Sequence, residues 1–501
     1  MPPADTLEDA RADGGGGDGG RGGGGGGTPK TAQLSLLTLT ALVVGSMVGA
    51  GVFSLPRRFA QETGVTGALI AWAVAGLGML MLAFVFQTLA VRRPDLDAGV
   101  YAYAKAGFGE YLGFFSAFGY WASVCVGNVT YWVLIMSTLG AVAPALGDGD
   151  TALAIVLSSV GLWAFYLLIR RGVKEATAIN RIVTAAKLVP ILVFVVLALV
   201  FFEPSVFADN LRGADYAGSL FDQVRGTTLA TVFVFLGVEG ASVYSRHAQR
   251  RRDVGRATLL GFVGVFAVFA SVTIVSYGIL PMAEIARLRQ PSMAGVLEAA
   301  VGTWGKTFVS AGLIVSVLGA YLAWTLMAAE VLFVAAKDKD MPRFLARVSR
   351  SDVPVPALLL SSALTQVVLV VTAFSGDAFD FALDLTSALT LIPFFLAAAF
   401  ALKLALWPVR EGAAGPGTGA RREVVVAALA TLYTAFLLYA AGLKFVLVSL
   451  IVYAPATLLF VKARRELGRR LFSPREAVIL AVSVAGAALG IVALAVGWIA
   501  L

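Results

Sequence analysis

The sequence predicts an all-α polytopic membrane protein, built from two five-helix repeats of opposite orientation plus three further spans. Three observations predict it. First, 58% of the 501 residues are hydrophobic and only 14% are charged, with a mean hydropathy of +0.84. Soluble domains carry about 25% charged residues. Second, apolar runs of about 20 residues, the length that crosses a bilayer, recur along the chain. Third, two of those runs, five apart, are broken at their middles. One reads Gly45-Ser46-Met47-Val48-Gly49-Ala50-Gly51-Val52-Phe53 and the other Phe235-Leu236-Gly237-Val238-Glu239-Gly240-Ala241-Ser242. Each glycine weakens a helix by about 1 kcal/mol relative to alanine. A break also frees backbone N–H and C=O groups that lipid cannot satisfy, so it must face protein, water or a ligand. Paired breaks in corresponding helices of two halves mark the binding site of a secondary transporter.

The elements follow in chain order. Residues 1–33 form a Gly-rich tail, with Gly14 to Gly27 interrupted only by Asp18 and Arg21. Such a segment cannot bury a core and is expected to be a disordered cytoplasmic tail. It lacks the basic-then-apolar pattern of a signal peptide. Thirteen spans are expected at 34–61, 65–91, 111–143, 151–169, 178–202, 226–246, 256–280, 307–336, 355–374, 381–407, 423–442, 444–461 and 475–499. Pro, Gly or charge separates them, as in Arg92-Arg93-Pro94 and Arg170-Arg171-Gly172. Residues 34–202 make the first repeat and 203–407 the second. Residues 408–501 carry spans 11–13. Five is odd, so the second repeat enters from the opposite side. Little residue identity beyond the glycines links the halves, and the repeat rests on topology.

Charge sets the orientation. With the N-terminus in the cytoplasm, roughly four in five of the 39 lysines and arginines fall in the tail and the cytoplasmic loops, as the positive-inside rule requires. Thirteen spans then leave the C-terminus outside. The basic residues face a cytoplasmic leaflet, not nucleic acid. The one cysteine, Cys125, excludes an internal disulfide and a cysteine metal cluster, and the one histidine, His247, excludes multi-histidine metal sites. No catalytic constellation and no phosphate-binding glycine loop is present. Neither an enzyme nor a metal site is expected, and no cofactor.

The residues that can carry chemistry sit at the breaks. Gly49 and Gly51 let span 1 unwind, and the half-helix that follows presents N–H groups and a positive dipole end to an anion such as an amino-acid carboxylate. Gly45 and Gly49 also form a GxxxG pair, which close helix packing alone explains. Glu239 lies within the second break, and a carboxylate at membrane depth is a functional candidate. It could contact a cation, take a proton or move with a gate; capping freed N–H groups is the structural alternative. Lys187 in span 5 could pair with carbonyls of a broken helix or reach the cytoplasmic surface. Asn128 in span 3 could bond a substrate or a neighbouring helix. Trp324 in span 8 could flank a cation or only pack. Phe233, one turn before the second break, is a gate candidate, and Asp384 in span 10 has no assigned role.

At these motifs the chain resembles the amino acid–polyamine–organocation superfamily, whose core is the leucine-transporter-like 5 + 5 inverted repeat. Within it, the chain is most similar to the basic amino acid/polyamine antiporters of the arginine/ornithine type. The two break motifs, Gly127-Asn128 and Ala323-Trp324-Thr325-Leu326 carry the likeness, as do Val243-Tyr244-Ser245-Arg246 and Ala335-Ala336-Lys337-Asp338-Lys339-Asp340-Met341-Pro342. The resemblance implies that Ala50 and Gly51 N–H groups hold a substrate carboxylate. It implies that Met47, Phe233 and Leu236 surround the α-amino group, that Asn128 contacts the head group and that Trp324 flanks the stem. Gly49, Glu239 and Lys187 are assigned to gating or coupling. Ala50 and Phe233 stand where the arginine/agmatine branch has serine and tryptophan, which argues against that branch.

The expected function is a bacterial inner-membrane antiporter exchanging arginine for ornithine by alternating access, with lysine a further substrate and a homodimer the expected assembly. A lysine or general cationic amino-acid permease, an arginine/agmatine antiporter, a proton-coupled carrier and a non-transporting sensor remain open alternatives.

Overall fold

The computed structural model describes residues 36–93, 95–96, 100–172, 176–213, 216–239, 251–407 and 418–499. The Gly-rich tail, His247 and the second half of span 6 lie outside the described residues. All regular structure among those described is helical. Among the described residues, ten helices are long and apolar enough to cross a membrane, or eleven with the bent pair in span 1.

Span 1 is α1 (Leu36–Met47) and α2 (Leu55–Glu62), turned by 45° at the break. Span 2 is α3 (Val65–Arg92). A short helix, α4 (Val100–Phe108), precedes span 3, α5 (Glu110–Gly140). Spans 4 and 5 are α6 (Ala152–Arg170) and α7 (Ala176–Val200). Short helices α8 (Pro204–Asp209) and α9 (Leu220–Gly226) lead to the described half of span 6, α10 (Thr228–Val234). Span 7 is α11 (Arg251–Ser276), followed by two connecting helices, α12 (Met282–Ile285) and α13 (Ser292–Val301). Spans 8 to 13 are α14 (Thr303–Lys337), α15 (Val355–Val371), α16 (Ala378–Leu406), α17 (Thr418–Ala440), α18 (Gly442–Glu466) and α19 (Pro474–Ala495). The helix ends differ from the expected ones by a few residues, as frayed termini usually do. Gly442, with φ +74, does separate spans 11 and 12. The short helices α4, α8, α9, α12 and α13 have no counterpart in the thirteen expected spans, because each is too short for a hydropathy window to register.

Helix packing reproduces the repeat. α1 packs on α11 as α10 packs on α3, and α5 packs on α16 as α14 packs on α7. Likewise α7 packs on α11 as α16 packs on α3. Exchanging each span for the one five places along maps these pairs onto one another. This is the leucine-transporter-like 5 + 5 architecture.

Two residues, Phe235 and Tyr453, hold the scaffold together. Phe235, fully buried, meets Trp72 of α3 edge-on at 6.0 Å and stacks on Phe262 of α11 at 5.2 Å. Edge-on and offset-stacked pairs are the favoured geometries, each contributing about 0.5–1.5 kcal/mol. In α18, the Tyr453 hydroxyl donates to Leu389 O of α16 at 3.2 Å, and Gly119 of α5 leaves the room it needs: a Cβ there would sit 1.6 Å from that oxygen. Spans 10 and 12 are thereby locked on span 3. Beyond the spans, Lys105 of α4 pairs with Asp340 at 2.5 Å and the Tyr101 hydroxyl donates to Asp338, tying α4 to the end of α14. Burial pushes the Asp340 carboxyl up, and the Lys105 ammonium pulls it back.

Candidate substrate site between the broken helices

The break in span 1 is present, and it meets the point where the described half of span 6 ends. In span 1, Val48 N–H still bonds Val44 O at 2.9 Å. The chain then leaves the α-helix and re-forms as a 3-10 turn at Gly51–Ser54 before α2. The first N–H groups of a new helical segment have no intrahelical acceptor, and the dipole end there is positive. In span 6, α10 ends at Val234 and tighter bonds follow, Phe235 N–H to Val232 O and Leu236 N–H to Phe233 O, both 3.2 Å. Gly237 then takes φ +101, which residues with a side chain rarely adopt.

The two breaks need their glycines for contact as well as for conformation. A Cβ on Gly237 would lie 2.6 Å from Ser46 O. A Cβ on Gly51 would lie 2.7 Å from Val234 and 2.8 Å from Phe233. Ser46 Oγ donates to Gly237 O at 3.1 Å, joining the breaks directly.

Between them lies a narrow cleft of about 20 Å³, roughly the room one water needs, so a substrate enters only as the walls move apart. Span 1 lines it with Ser46, Met47, Gly49, Ala50, Gly51 and Val52, and span 6 with Phe233, Val234 and Leu236. Gly127 and Tyr131 of α5, Trp324 of α14 and Thr386 of α16 complete the wall. The structure therefore brings Met47, Gly49, Ala50, Gly51, Phe233, Leu236 and Trp324 together. Their backbone polar groups and apolar side chains suit a zwitterion with a long stem.

Asn128 does not line the cleft. It is buried behind the wall, where Nδ2 donates to Thr325 Oγ1 of α14 at 3.2 Å and Oδ1 has no hydrogen-bond partner. The physical reason is helix phase, since the adjacent Gly127 faces Thr386 and takes the lining position instead.

The two ionisable candidates act on the breaks from outside the cleft. Lys187 Nζ donates to Gly45 O at 3.2 Å, so the ammonium satisfies a carbonyl near the end of α1. Glu239 Oε2 accepts the Gly237 N–H at 3.1 Å, and Oε1 accepts the Tyr120 hydroxyl of α5 at 2.6 Å. The carboxylate thus caps a freed backbone donor and ties the second break to span 3. Both residues are buried.

Sequence reasoning did not single out Tyr131, Thr386 or Tyr120. Tyr131 had a usable signal: it lies four residues after Gly127 and so on the same face of α5. Its hydroxyl comes to 3.4 Å from where a Gly49 Cβ would be. Tyr120 and Thr386 carried none, because each is one polar residue within a long apolar helix.

A broken span 1 meeting the end of the described half of span 6 at a buried cleft, within a 5 + 5 repeat, defines a secondary transporter. The Amino acid permease family matches residues 34–461, and the chain belongs to that family. It is 47% identical over 463 residues to the arginine/ornithine antiporter of Pseudomonas aeruginosa, covering 91% of this chain and 96% of the relative. It is 37% identical over 484 residues to the L-lysine transport protein of Corynebacterium glutamicum, covering 93% and 96%. It is 34% identical over 444 residues to the arginine/agmatine antiporter of Chlamydia abortus, covering 87% and 90%.

Proposed function

We propose that the chain exchanges arginine for ornithine across the bacterial inner membrane by alternating access. The observation that carries this is the cleft lined by residues of both breaks, by the start of the 3-10 turn at Gly51 and by Trp324. The substrate carboxylate sits at the Ala50 and Gly51 N–H groups and the ammonium among carbonyls of the breaks. The stem lies along Trp324, Met47 and Phe233. The relatives named for arginine and ornithine support this pair.

In this reading spans 1, 2, 6 and 7 rock against the rest, with Glu239 and Lys187 steadying the breaks as they move. Arginine and ornithine each carry +1, so one-for-one exchange is electroneutral and needs no ATP. The charge distribution supports a cytoplasmic N-terminus, and in this reading the end of α2 faces outward. The second reading, a lysine carrier, is favoured by the Corynebacterium relative.

A competition panel separates the two. Labelled arginine uptake into ornithine-loaded proteoliposomes is challenged with excess arginine, ornithine, lysine, agmatine or leucine. Arginine and ornithine should compete strongly, and agmatine, which lacks the carboxylate, weakly. Lysine outcompeting ornithine would favour the second reading.

A further inference from the structure

The link between spans 5 and 6 is bonded to the ends of three other spans, and one side chain makes most of the bonds. Asn210, at the end of α8, is only 5% exposed. Its Nδ2 donates to Tyr277 O at 2.7 Å and to Leu280 O at 3.0 Å. Its Oδ1 accepts the Met282 N–H at 2.7 Å. Both amide N–H donors and the side-chain oxygen are thus engaged, all on the turn by which the chain leaves α11, span 7. The Glu203 N–H takes a further carbonyl of that turn, Gly278 O, at 2.8 Å.

The main chain of the same residue holds spans 1 and 2. Asn210 O accepts the Val65 N–H at 3.0 Å, and Leu211 O accepts the Thr66 N–H at 3.1 Å. These are N–H groups of the first turn of α3, which have no acceptor within their own helix. Gly64, between α2 and α3, permits the approach, because a Cβ there would lie 2.6 Å from Asn210 O and 2.3 Å from Gly213 N. Two side-chain bonds brace the junction. The Tyr277 hydroxyl donates to Thr63 O at 2.6 Å, and Thr63 Oγ1 donates to Gln223 Oε1 of α9 at 2.9 Å. Pulling span 7 away from spans 1 and 2 would therefore strip several buried polar groups of their partners at once, and each such group is costly to leave unpaired.

We infer that Asn210 is the pin through which spans 1, 2 and 7 move as one body. It is a positioning residue: it stands apart from the cleft wall and acts through the helices it joins. A shift of span 1 at its break then carries spans 2 and 7 with it without slip. When the pin is lost, the substrate still binds, but the spans no longer change sides together. This inference deepens the proposed alternating access and rests on it.

A distance within the full chain tests it without reference to transport. Leu69 of α3 and Ala283 of α12 are exposed, and Cys125 is buried and stays unlabelled. Spin labels on Leu69→Cys and Ala283→Cys in nanodiscs should show one narrow separation by pulsed electron resonance, the same with and without arginine. Adding Asn210→Ala should broaden or split it. In proteoliposomes Asn210→Ala should cut turnover of arginine against ornithine about tenfold, while equilibrium arginine binding stays within about twofold. A residue that only stabilises the fold would lower the unfolding temperature and leave turnover per folded molecule unchanged. Tyr277→Phe keeps the ring and loses only the bond to Thr63 O, so it serves if Asn210→Ala does not fold; it should broaden the same separation and slow turnover with binding intact. An unbroadened separation, or binding and turnover falling together, would overturn the inference while leaving the exchanger intact. A wild-type chain that moves no cationic amino acid would overturn the proposed function, and the label separation would still decide whether Asn210 joins these spans.

Discussion

Ser46 and Gly237 are 191 residues apart, and the Ser46 hydroxyl donates to the Gly237 carbonyl at 3.1 Å. The bond joins the two places where helices of opposite repeats unwind. The first break thereby satisfies a freed carbonyl of the second, which helps an interrupted helix survive inside a membrane. Two further groups near the breaks are satisfied by Lys187 at Gly45 O and by Glu239 at the Gly237 N–H.

Gly237→Ala should abolish exchange. The substitution forces a side chain onto φ +101 and places a Cβ 2.6 Å from Ser46 O. Strained backbone of this kind costs about 1–3 kcal/mol, and backbone on the opposing side cannot yield cheaply. Thermal unfolding in detergent should show a lower midpoint, and initial uptake rates should fall to background. A variant of normal rate would show that the two breaks need not touch.

Glu239→Gln isolates the charge. A glutamine can keep both hydrogen bonds, its carbonyl accepting from Gly237 N–H and its amide donating to the Tyr120 hydroxyl. Stability should therefore change little while exchange slows severalfold. Measured uptake equal to wild type would leave Glu239 a cap and nothing more.

Lys187→Met removes the donor to Gly45 O. A buried carbonyl left without its partner costs about 1–3 kcal/mol, felt at the end of α1. Exchange should drop by tenfold or so, and Lys187→Arg should recover part of it by supplying another donor. If Lys187→Met and Lys187→Arg behave identically, the bond to span 1 is not what matters.

Trp324→Ala should weaken apparent affinity for arginine by about 1–2 kcal/mol, or roughly five- to thirtyfold, if the indole meets a desolvated cation. Competition by unlabelled arginine measures it directly. An unchanged half-saturation would return Trp324 to packing alone.

Much of this was legible in the sequence because it depends on length and backbone. Spans announce themselves by apolar run length, and the breaks by glycines that no helix interior favours. Lys187 and Glu239 stood out because charge at membrane depth is rare. The rest depends on which face of a helix turns inward. Asn128 and Gly127 are neighbours, yet only Gly127 lines the cleft; Tyr131 and Thr386 do so without any local mark. The ion pairs between α2 and α16 needed the fold as well, since only packing brings Asp380 and Asp384 to Arg58 across more than 300 residues.

Counterflow in proteoliposomes tests obligatory exchange of cationic amino acids through this cleft. Labelled arginine is offered outside vesicles that are empty or loaded with ornithine, lysine or agmatine. Uptake should be rapid with ornithine inside, slight with agmatine and almost absent into empty vesicles. Equal uptake into empty and loaded vesicles would contradict it.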